Sequence, residues 1–524
     1  MIPVQISLKH QLIGVPTAPA VENLFPNAQR MNGYILVPHK PIESFMLRRL
    51  DYDVPSPILT NYDWPHPAGQ PPFEAQKKTA AMVTMHSRSY CLNSMGTGKS
   101  RAALWSWDYL NKNGLVKRLL IVAPLSTLKF TWYREIFATL PHRKAVVLYG
   151  TKAKRLEALK SDADIFIINH DGMRTITPEL ANHPDIDMLI IDELAVYRNG
   201  QALRTKAMRK EAARFAWVVG MTGSPIPNAS TDAWAQASII TPNTVPKYFK
   251  HFREDLMVRV SQFKWAPKPD AVYKAFNALQ PSVRFTLDDI MELPEAVYRT
   301  VDIELGPLQS KIYKQMAAHC YAAVQSGEIS AANAGACMNK LMQVSTGYVY
   351  ADKDEQGKRK VATLDNEARI SALIDMVLSG DGKKLVFVPF KHALAGISQA
   401  LENEGIDHAT VSGDTSANER GEIFNLFQNT SKYAVLAAHP QCLAHGLTLT
   451  MADTIIWFSP TTSLEIYDQA NMRIRRVGQK HKQLYMHFQG TPVEKRIYQL
   501  LRNKQNIQGE LLDLFEVATQ ELTI

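Results

Sequence analysis

Ser89-Tyr90-Cys91-Leu92-Asn93-Ser94-Met95-Gly96-Thr97-Gly98-Lys99-Ser100 is a short apolar run, then a glycine-bearing turn, then the start of a helix, since Arg101-Ala102-Ala103-Leu104 follows. Its core, Gly96-x-Gly98-Lys99-Ser100, holds what a phosphate-cradling loop requires: small residues that bring backbone N–H groups close to an anion, an ammonium group, and a hydroxyl for magnesium. The full eight-position pattern opens on glycine, and Asn93 stands there instead. The stretch predicts a nucleotide site at a strand-to-helix junction; the alternative is a plain glycine turn opening a helix.

The rest of the chain has to say which kind of nucleotide protein this is. At 524 residues it exceeds what one hydrophobic core supports, and three or four folding units are expected. With 46% hydrophobic and 21% charged residues, its composition is that of a globular protein. A net charge of +9 suits a polyanionic partner without naming one. Cys91, Cys320, Cys337 and Cys442 lie far apart with no Cys-x-x-Cys pair, which argues against a zinc ribbon or a disulfide framework and for a reducing compartment. There is no apolar run of about 18 residues and no signal-peptide layout at Met1-Ile2-Pro3-Val4-Gln5, so the expected location is cytoplasmic, without a membrane.

Before the loop, residues 1–66 carry scattered prolines and short apolar runs such as Tyr34-Ile35-Leu36-Val37. They predict a small accessory domain of short strands, with a loosely ordered arm as the alternative, and a surface open to a protein partner. Pro65-His66-Pro67-Ala68-Gly69-Gln70-Pro71-Pro72 reads as a linker. A helical pattern starts at Phe73, and Gln76 on it is placed to read an adenine edge, because its amide is both donor and acceptor; the alternative is a solvated helix residue.

After the loop, apolar runs at 119–123, 165–168, 188–191 and 217–221 alternate with helical segments, as a parallel sheet with crossover helices requires. The third run ends in Asp192-Glu193. Two carboxylates at a strand end suit a shared task, one holding magnesium through water and the other polarising the attacking water; a charged turn is the alternative. The fourth runs into Thr222-Gly223-Ser224-Pro225-Ile226-Pro227-Asn228, whose hydroxyls could sense a γ-phosphate, or which is simply a Gly-Pro turn.

Residues Lys247, Tyr248, Phe249, Lys250, Phe252, Arg253, Arg259, Phe263, Lys264 and Trp265 interleave charge with aromatics, a pattern that can track nucleic acid but is better read as the covering of a hinge region. A second alternating region begins near Asn366, with expected strands at 384–388, 408–411, 434–437, 454–458 and 484–488 and no phosphate loop. It carries Gln469-Ala470-Asn471-Met472-Arg473-Ile474-Arg475-Arg476-Val477-Gly478-Gln479, predicted to place Arg473 and Arg476 on one helical face. A guanidinium pair reaching a γ-phosphate from a second lobe would supply charge only on closure; a solvated basic helix is the alternative reading.

Taken in order, this set resembles the Swi/Snf-type ATP-dependent DNA translocases of helicase superfamily two, in a phage- or bacterial-like form. Gln76 and Gly96 to Ser100 match the adenine-reading and first motifs, and Leu120-Ile121-Val122-Ala123-Pro124-Leu125-Ser126 with Trp132 and Glu135 is similar to the segment that grips one DNA strand. Asp192-Glu193-Leu194-Ala195, Thr222 to Asn228 with Trp234, Leu293-Pro294, Ser412-Gly413, Gly446-Leu447-Thr448-Leu449 and Gln469 to Gln479 follow in the family's order. Ala195, Leu443-Ala444 and Thr448 depart from the frequent residues, which touches the coupling between nucleotide and DNA rather than the fold.

The resemblance implies an α/β fold of two tandem RecA-like P-loop lobes plus the N-terminal accessory domain: 1–66 accessory, 67–245 lobe 1, 246–365 hinge and helical insertion, 366–524 lobe 2. It further implies ATP and Mg2+ as cofactors. Lys99, Gly96, Thr97, Gly98, Ser100, Gln76, Gly446 and Gln469 would hold nucleotide, Ser100 and Asp192 magnesium, Glu193 the attacking water, and Arg473 and Arg476 the transferring phosphoryl group. DNA, double-stranded or branched, would meet Pro124, Ser126, Asn169, Thr222, Ser412, Gly413 and His445 of a monomer. The implied activity is ATP-driven translocation along DNA. The alternatives are a strand-separating or branch-migrating helicase and a nucleotide-gated clamp on DNA or a polymerase.

Overall fold

The runs of Ile, Leu and Val expected as strands buried on both faces lie side by side in the computed structural model, which describes residues 2–226, 229–261, 265–325, 331–353, 359–443, 449–476 and 478–503. The chain forms two compact units, Met1–Met291 and Glu292–Ile524.

The first unit opens with the short strands expected near the N-terminus: β1 (Gln5–Ser7), β2 (Leu12–Pro16), β3 (Gln29–Met31) and β4 (Tyr34–Pro38), an antiparallel sheet in the order β1-β2-β4-β3. Helix α1 (Pro41–Arg49) starts on a proline, whose fixed φ suits a first helical turn, and buries Leu47 with Ile13, Val15, Ile35 and Val37. The stretch after it is not a free linker. Trp105 Nε1 donates to Pro65 O at 2.8 Å and Arg101 Nη1 to Gln70 O at 3.3 Å, so the proline-rich run is strapped down, its backbone acceptors used by side chains of the helix behind the phosphate loop.

Helix α2 (Glu74–Met85) leads to β5 (Arg88–Cys91), and the loop opens α3 (Lys99–Lys112). The strands β6 (Arg118–Ala123), β7 (Ala145–Leu148), β8 (Ile165–Asn169), β9 (Ile186–Asp192), β10 (Trp217–Met221) and β11 (Ser282–Val283) complete a seven-stranded sheet in the order β11-β5-β10-β9-β6-β8-β7. Every neighbouring pair is parallel. All of the strands' carboxyl ends therefore share one edge, where open α/β sheets bind ligands. Register fixes the detail: Met221 pairs with Cys91 on one side and Asp192 on the other, so the start of the phosphate loop and the strand-end carboxylate stand level across one intervening strand.

The second unit repeats the plan with β12 (Ala296–Asp302), β13 (Lys383–Phe387), β14 (His408–Val411), β15 (Val435–Ala438), β16 (Ala452–Trp457) and β17 (Gln483–Gln489), parallel throughout in the order β12-β17-β16-β13-β15-β14. Among its buried titratable side chains is His487, whose Nε2 meets the Tyr467 hydroxyl at 2.9 Å and whose pKa burial pushes down to about 3. In the unfolded chain this imidazole takes a proton near pH 6.5, and in the fold it does not until about pH 3. Stability is thus fully present above pH 6.5 and falls as pH drops toward 3, by up to about 1.4 kcal/mol per pH unit from this group. Urea unfolding at pH 7 and pH 5 should show a shallower pH dependence for His487→Gln than for the unsubstituted chain; equal slopes would remove His487 from the account.

Candidate active site

The phosphate loop is shaped by two glycines with left-handed backbone, Gly96 (φ 80°) and Gly98 (φ 77°). At Gly98 a side chain is doubly excluded, since a Cβ there would lie 1.9 Å from Gln76 Nε2. Helix α3 begins at Lys99, so its N-terminal N–H groups and positive dipole end face the loop, with Ser100 in the first turn. The Lys99 ammonium donates to Asn93 O at 2.7 Å and Ser94 O at 3.0 Å, and Thr97 Oγ1 donates to Ser94 O at 2.8 Å. Gln76 is buried against the loop: its Oε1 accepts from Phe73 N–H at 2.9 Å and its Nε2 donates to Gly98 O at 3.4 Å.

Asn93 now has a physical reason. Its backbone lies outside the left-handed region, so glycine is not required there. Its buried amide donates to Thr79 Oγ1 at 2.8 Å and accepts from Phe285 N–H at 2.9 Å, tying the loop to α2 and to the residues after β11. Asn93→Gly, which restores the usual glycine, is expected to lower the unfolding free energy by about 1–3 kcal/mol, because the Phe285 N–H loses its acceptor. Urea denaturation measures it, and an unchanged midpoint would show the amide to be idle.

Asp192 ends β9 with both oxygens engaged: Trp132 Nε1 donates to Oδ2 at 2.9 Å and Glu193 N–H to Oδ1 at 3.1 Å. Burial raises its pKa, opposed by the Trp132 hydrogen bond and the nearby Lys99 charge. Glu193 follows in a left-handed conformation, φ 52° and ψ 54°. For a residue with a side chain this costs about 1–3 kcal/mol, the kind of strain held at reacting positions.

Of the residues expected to meet DNA, Pro124 and Thr222 are buried, because the covered part of the sheet extends past the last paired residue of β6 and β10; the Thr222 hydroxyl accepts from Ser224 N–H at 3.2 Å. The surface beside Pro124 is made instead by Leu125, 54% exposed, with Ser126 and Lys129. Trp132, expected on the strand-gripping segment, is fully buried on Asp192, and Glu135 pairs with Arg101 at 2.6 Å. Asn169 Oδ1 accepts from Arg155 Nη1 at 3.1 Å, a partner that nothing in the sequence pattern signalled.

In the second unit, half-buried Ser412 and exposed Gly413 follow β14, and Asp414 N–H donates to the Ser412 hydroxyl at 3.2 Å. His445 and Gly446 lie outside the described residues, as do Pro227 and Asn228. Gln469 is buried on α4 (Leu464–Asn471), its Nε2 donating to Glu465 Oε1 at 3.4 Å. The expectation of one helical face for the arginines is corrected: α4 stops at Asn471, and Arg473 and Arg476 stand in the turn beyond it. Side-chain capping explains the stop. Arg473 Nε donates to Gln469 O at 2.7 Å and Arg476 Nε to Met472 O at 3.0 Å, which satisfies carbonyls left over at the helix end. Burial pushes the Arg476 pKa down to about 10, still a cation at neutral pH.

Residues 76–348 match the SNF2-related domain. The chain belongs to the SNF2 family. Residues 368–478 of this SNF2-family chain match the helicase conserved C-terminal domain, which makes it a helicase-like ATPase by class. It is 23% identical over 429 residues to an uncharacterized ATP-dependent helicase of Mycoplasma genitalium, covering 80% of this chain and 40% of that one. It is 27% identical over 413 residues to protein p41 of Acyrthosiphon pisum secondary endosymbiont phage 1, covering 75% of this chain and 85% of that one. The chain spans about two fifths of the length of the two mycoplasma helicases it matches, at 40% and 41%. A solved structure, the Sulfolobus solfataricus SWI2/SNF2 ATPase core in complex with dsDNA, aligns at TM-score 0.40 and 20% identity over 87% of this chain and 97% of that one. Among the described residues, no helix is long and apolar enough to cross a membrane.

The first unit of this SNF2-family chain fits a magnesium nucleotide. Among the described residues no three His, Cys, Asp or Glu side chains form an all-protein metal cage. The donors beside the loop are one carboxylate, Asp192, and one hydroxyl, Ser100, a set that suits magnesium when phosphate oxygens and water supply the remainder.

Proposed function

We propose that this SNF2-family chain hydrolyses ATP and uses the cycle to move along double-stranded DNA. The observation that carries the reading is the level placement of the phosphate loop and Asp192-Glu193 at one sheet edge, in a chain whose second unit carries the arginine turn of Arg473 and Arg476.

In this reading the Lys99 ammonium exchanges the Asn93 and Ser94 carbonyls for phosphate oxygens, while Gly96, Thr97 and Gly98 offer backbone N–H groups. Gln76, already against the loop, presents its amide to the adenine edge. Ser100 and Asp192 hold magnesium, which when bound neutralises developing phosphate charge. The Glu193 carboxylate orients and accepts a proton from the attacking water, and Arg473 and Arg476 complete the charge stabilisation as the units close. Leu125, Ser126, Lys129 and Asn169 on the first unit and Ser412 and Gly413 on the second grip the phosphate backbone, and alternation of the two grips gives movement.

The test is ATP turnover measured with no nucleic acid and with single-stranded, duplex, forked and four-way DNA and duplex RNA. The expected result is strong stimulation by plain duplex DNA, weakening with salt because phosphate contacts release counterions. Stimulation confined to forks or four-way junctions would favour unwinding or branch migration. Binding of DNA without any turnover would favour a nucleotide-gated clamp.

A further inference from the structure

We propose that Trp132 is a positioning residue which links nucleic-acid contact on the first unit to the magnesium-holding carboxylate of Asp192; the proposal rests on the function proposed above. Three observations carry it. Trp132 is fully buried and its indole N–H is on Asp192 Oδ2 at 2.9 Å, so the orientation of that carboxylate depends on where the indole sits.

The chain that positions the indole is the one that leaves β6 toward the DNA-facing edge. After Pro124 it makes a tight turn, Leu125–Thr127, then a π-helical turn, Leu128–Tyr133, and only then an α-helix, Arg134–Thr139. A π turn is uncommon and recurs at functional sites. It is one hydrogen-bond register away from an α turn, and a change of register rotates every side chain within it. The outer part of this segment is solvent-facing: Leu125 is 54% exposed, and exposed Lys129 lies 5.9 Å over the ring of Tyr149, itself 52% exposed.

The far end of the segment is anchored. Glu135 takes Arg101 Nε at 2.6 Å, fixing the following helix to α3, the helix that opens on the phosphate loop, and also accepts from Thr139 Oγ1 at 3.0 Å. A displacement imposed at Lys129 is therefore absorbed between a fixed strand and a fixed helix, in the π turn that holds Trp132. Phosphate contact at Lys129 thus acts on how Asp192 is held, and nucleotide bound at Asp192 acts back on the same turn, as linkage requires.

The test uses the full chain and Trp132→Phe, which keeps a buried aromatic ring while removing the donor and one ring of the indole. Three readouts are taken: the magnesium midpoint for binding a fluorescent ADP analogue, the ratio of ATP turnover with saturating duplex to turnover without it, and duplex affinity. The expected result is a magnesium midpoint raised roughly tenfold, as for loss of a partner that orients a metal ligand, a stimulation ratio reduced severalfold, and duplex affinity unchanged when no nucleotide is bound. A Trp132→Phe chain with the original magnesium midpoint and stimulation ratio overturns the proposal, and a shifted midpoint with an intact ratio overturns the coupling.

Lys129→Ala, an exposed change, keeps the question open to test if Trp132→Phe does not fold. At saturating duplex it should lower the stimulation ratio without moving the magnesium midpoint, and an unaltered ratio overturns the coupling. An unsubstituted chain that no duplex stimulates overturns the function proposed above and the coupling with it, whereas a stimulated chain with an unaffected Trp132→Phe variant overturns the coupling alone.

Discussion

Lys99→Ala and Glu193→Gln are each expected to lower ATP turnover by roughly two or more orders of magnitude, about 2.7 kcal/mol or more of lost transition-state stabilisation. The two losses differ in kind. Lys99 supplies the ammonium at the mouth of the loop, held 2.7 Å from Asn93 O, so its removal weakens nucleotide binding as well as turnover. The amides of Gly96 to Gly98 and the N-terminus of α3 remain to hold phosphate, so binding is reduced rather than abolished. Glu193→Gln keeps size, polarity and the left-handed backbone at φ 52°, and takes away only the negative charge that accepts the water's proton. Nucleotide affinity should stay within a few fold while turnover collapses. Phosphate release and binding of a fluorescent nucleotide measure the two separately, and near-normal turnover in both variants would sink the assignment of the catalytic centre.

Arg476→Ala is expected to leave nucleotide affinity nearly unchanged and to reduce turnover by roughly three orders of magnitude, the range lost when an arginine that completes a phosphoryl-transfer site is removed. Its guanidinium stays charged at neutral pH despite burial, with a pKa near 10. Its Nε is held by Met472 O at 3.0 Å, so the side chain is partly ordered before any nucleotide arrives. Arg473 is the less clean test, because it is 1% exposed and its Nε helps end α4, so its loss should cost stability as well. Equal loss of binding and turnover in Arg476→Ala would argue against a role confined to the transition state.

What the sequence made legible follows from how local each signal is. The strands 119–123, 165–168 and 188–191 were readable because a strand covered on both faces must be apolar at every position, and their observed ends lie within two residues. The phosphate loop and Asp192-Glu193 were readable because their chemistry depends on neighbours in sequence. Trp132 on Asp192 joins residues 60 apart through a π turn that has no sequence signature, so only its presence in a motif could have singled it out.

The arginine turn was misread for the opposite reason. Gln469 to Gln479 has helical spacing, but the buried Arg473 and half-buried Arg476 guanidinium groups capping the carbonyls of Gln469 and Met472 end the helix early, a tertiary effect that overrides local pattern. Likewise, the sequence pattern does not signal that Pro124 and Thr222 are buried at the ends of their strands while Leu125 and Lys129 stay exposed. Asn93 shows that a departure from a pattern can be structural, its amide holding the loop where a glycine would only have permitted it.

The central claim, that hydrolysis drives movement along duplex DNA, is tested most directly by triplex displacement. A third strand is annealed to one end of a blunt duplex, and its release is followed with ATP, without ATP, and with the Glu193→Gln chain. The account predicts release that requires ATP and an intact Glu193, with the two strands of the underlying duplex remaining paired. Rapid ATP hydrolysis on the same duplex with the third strand left in place would contradict it.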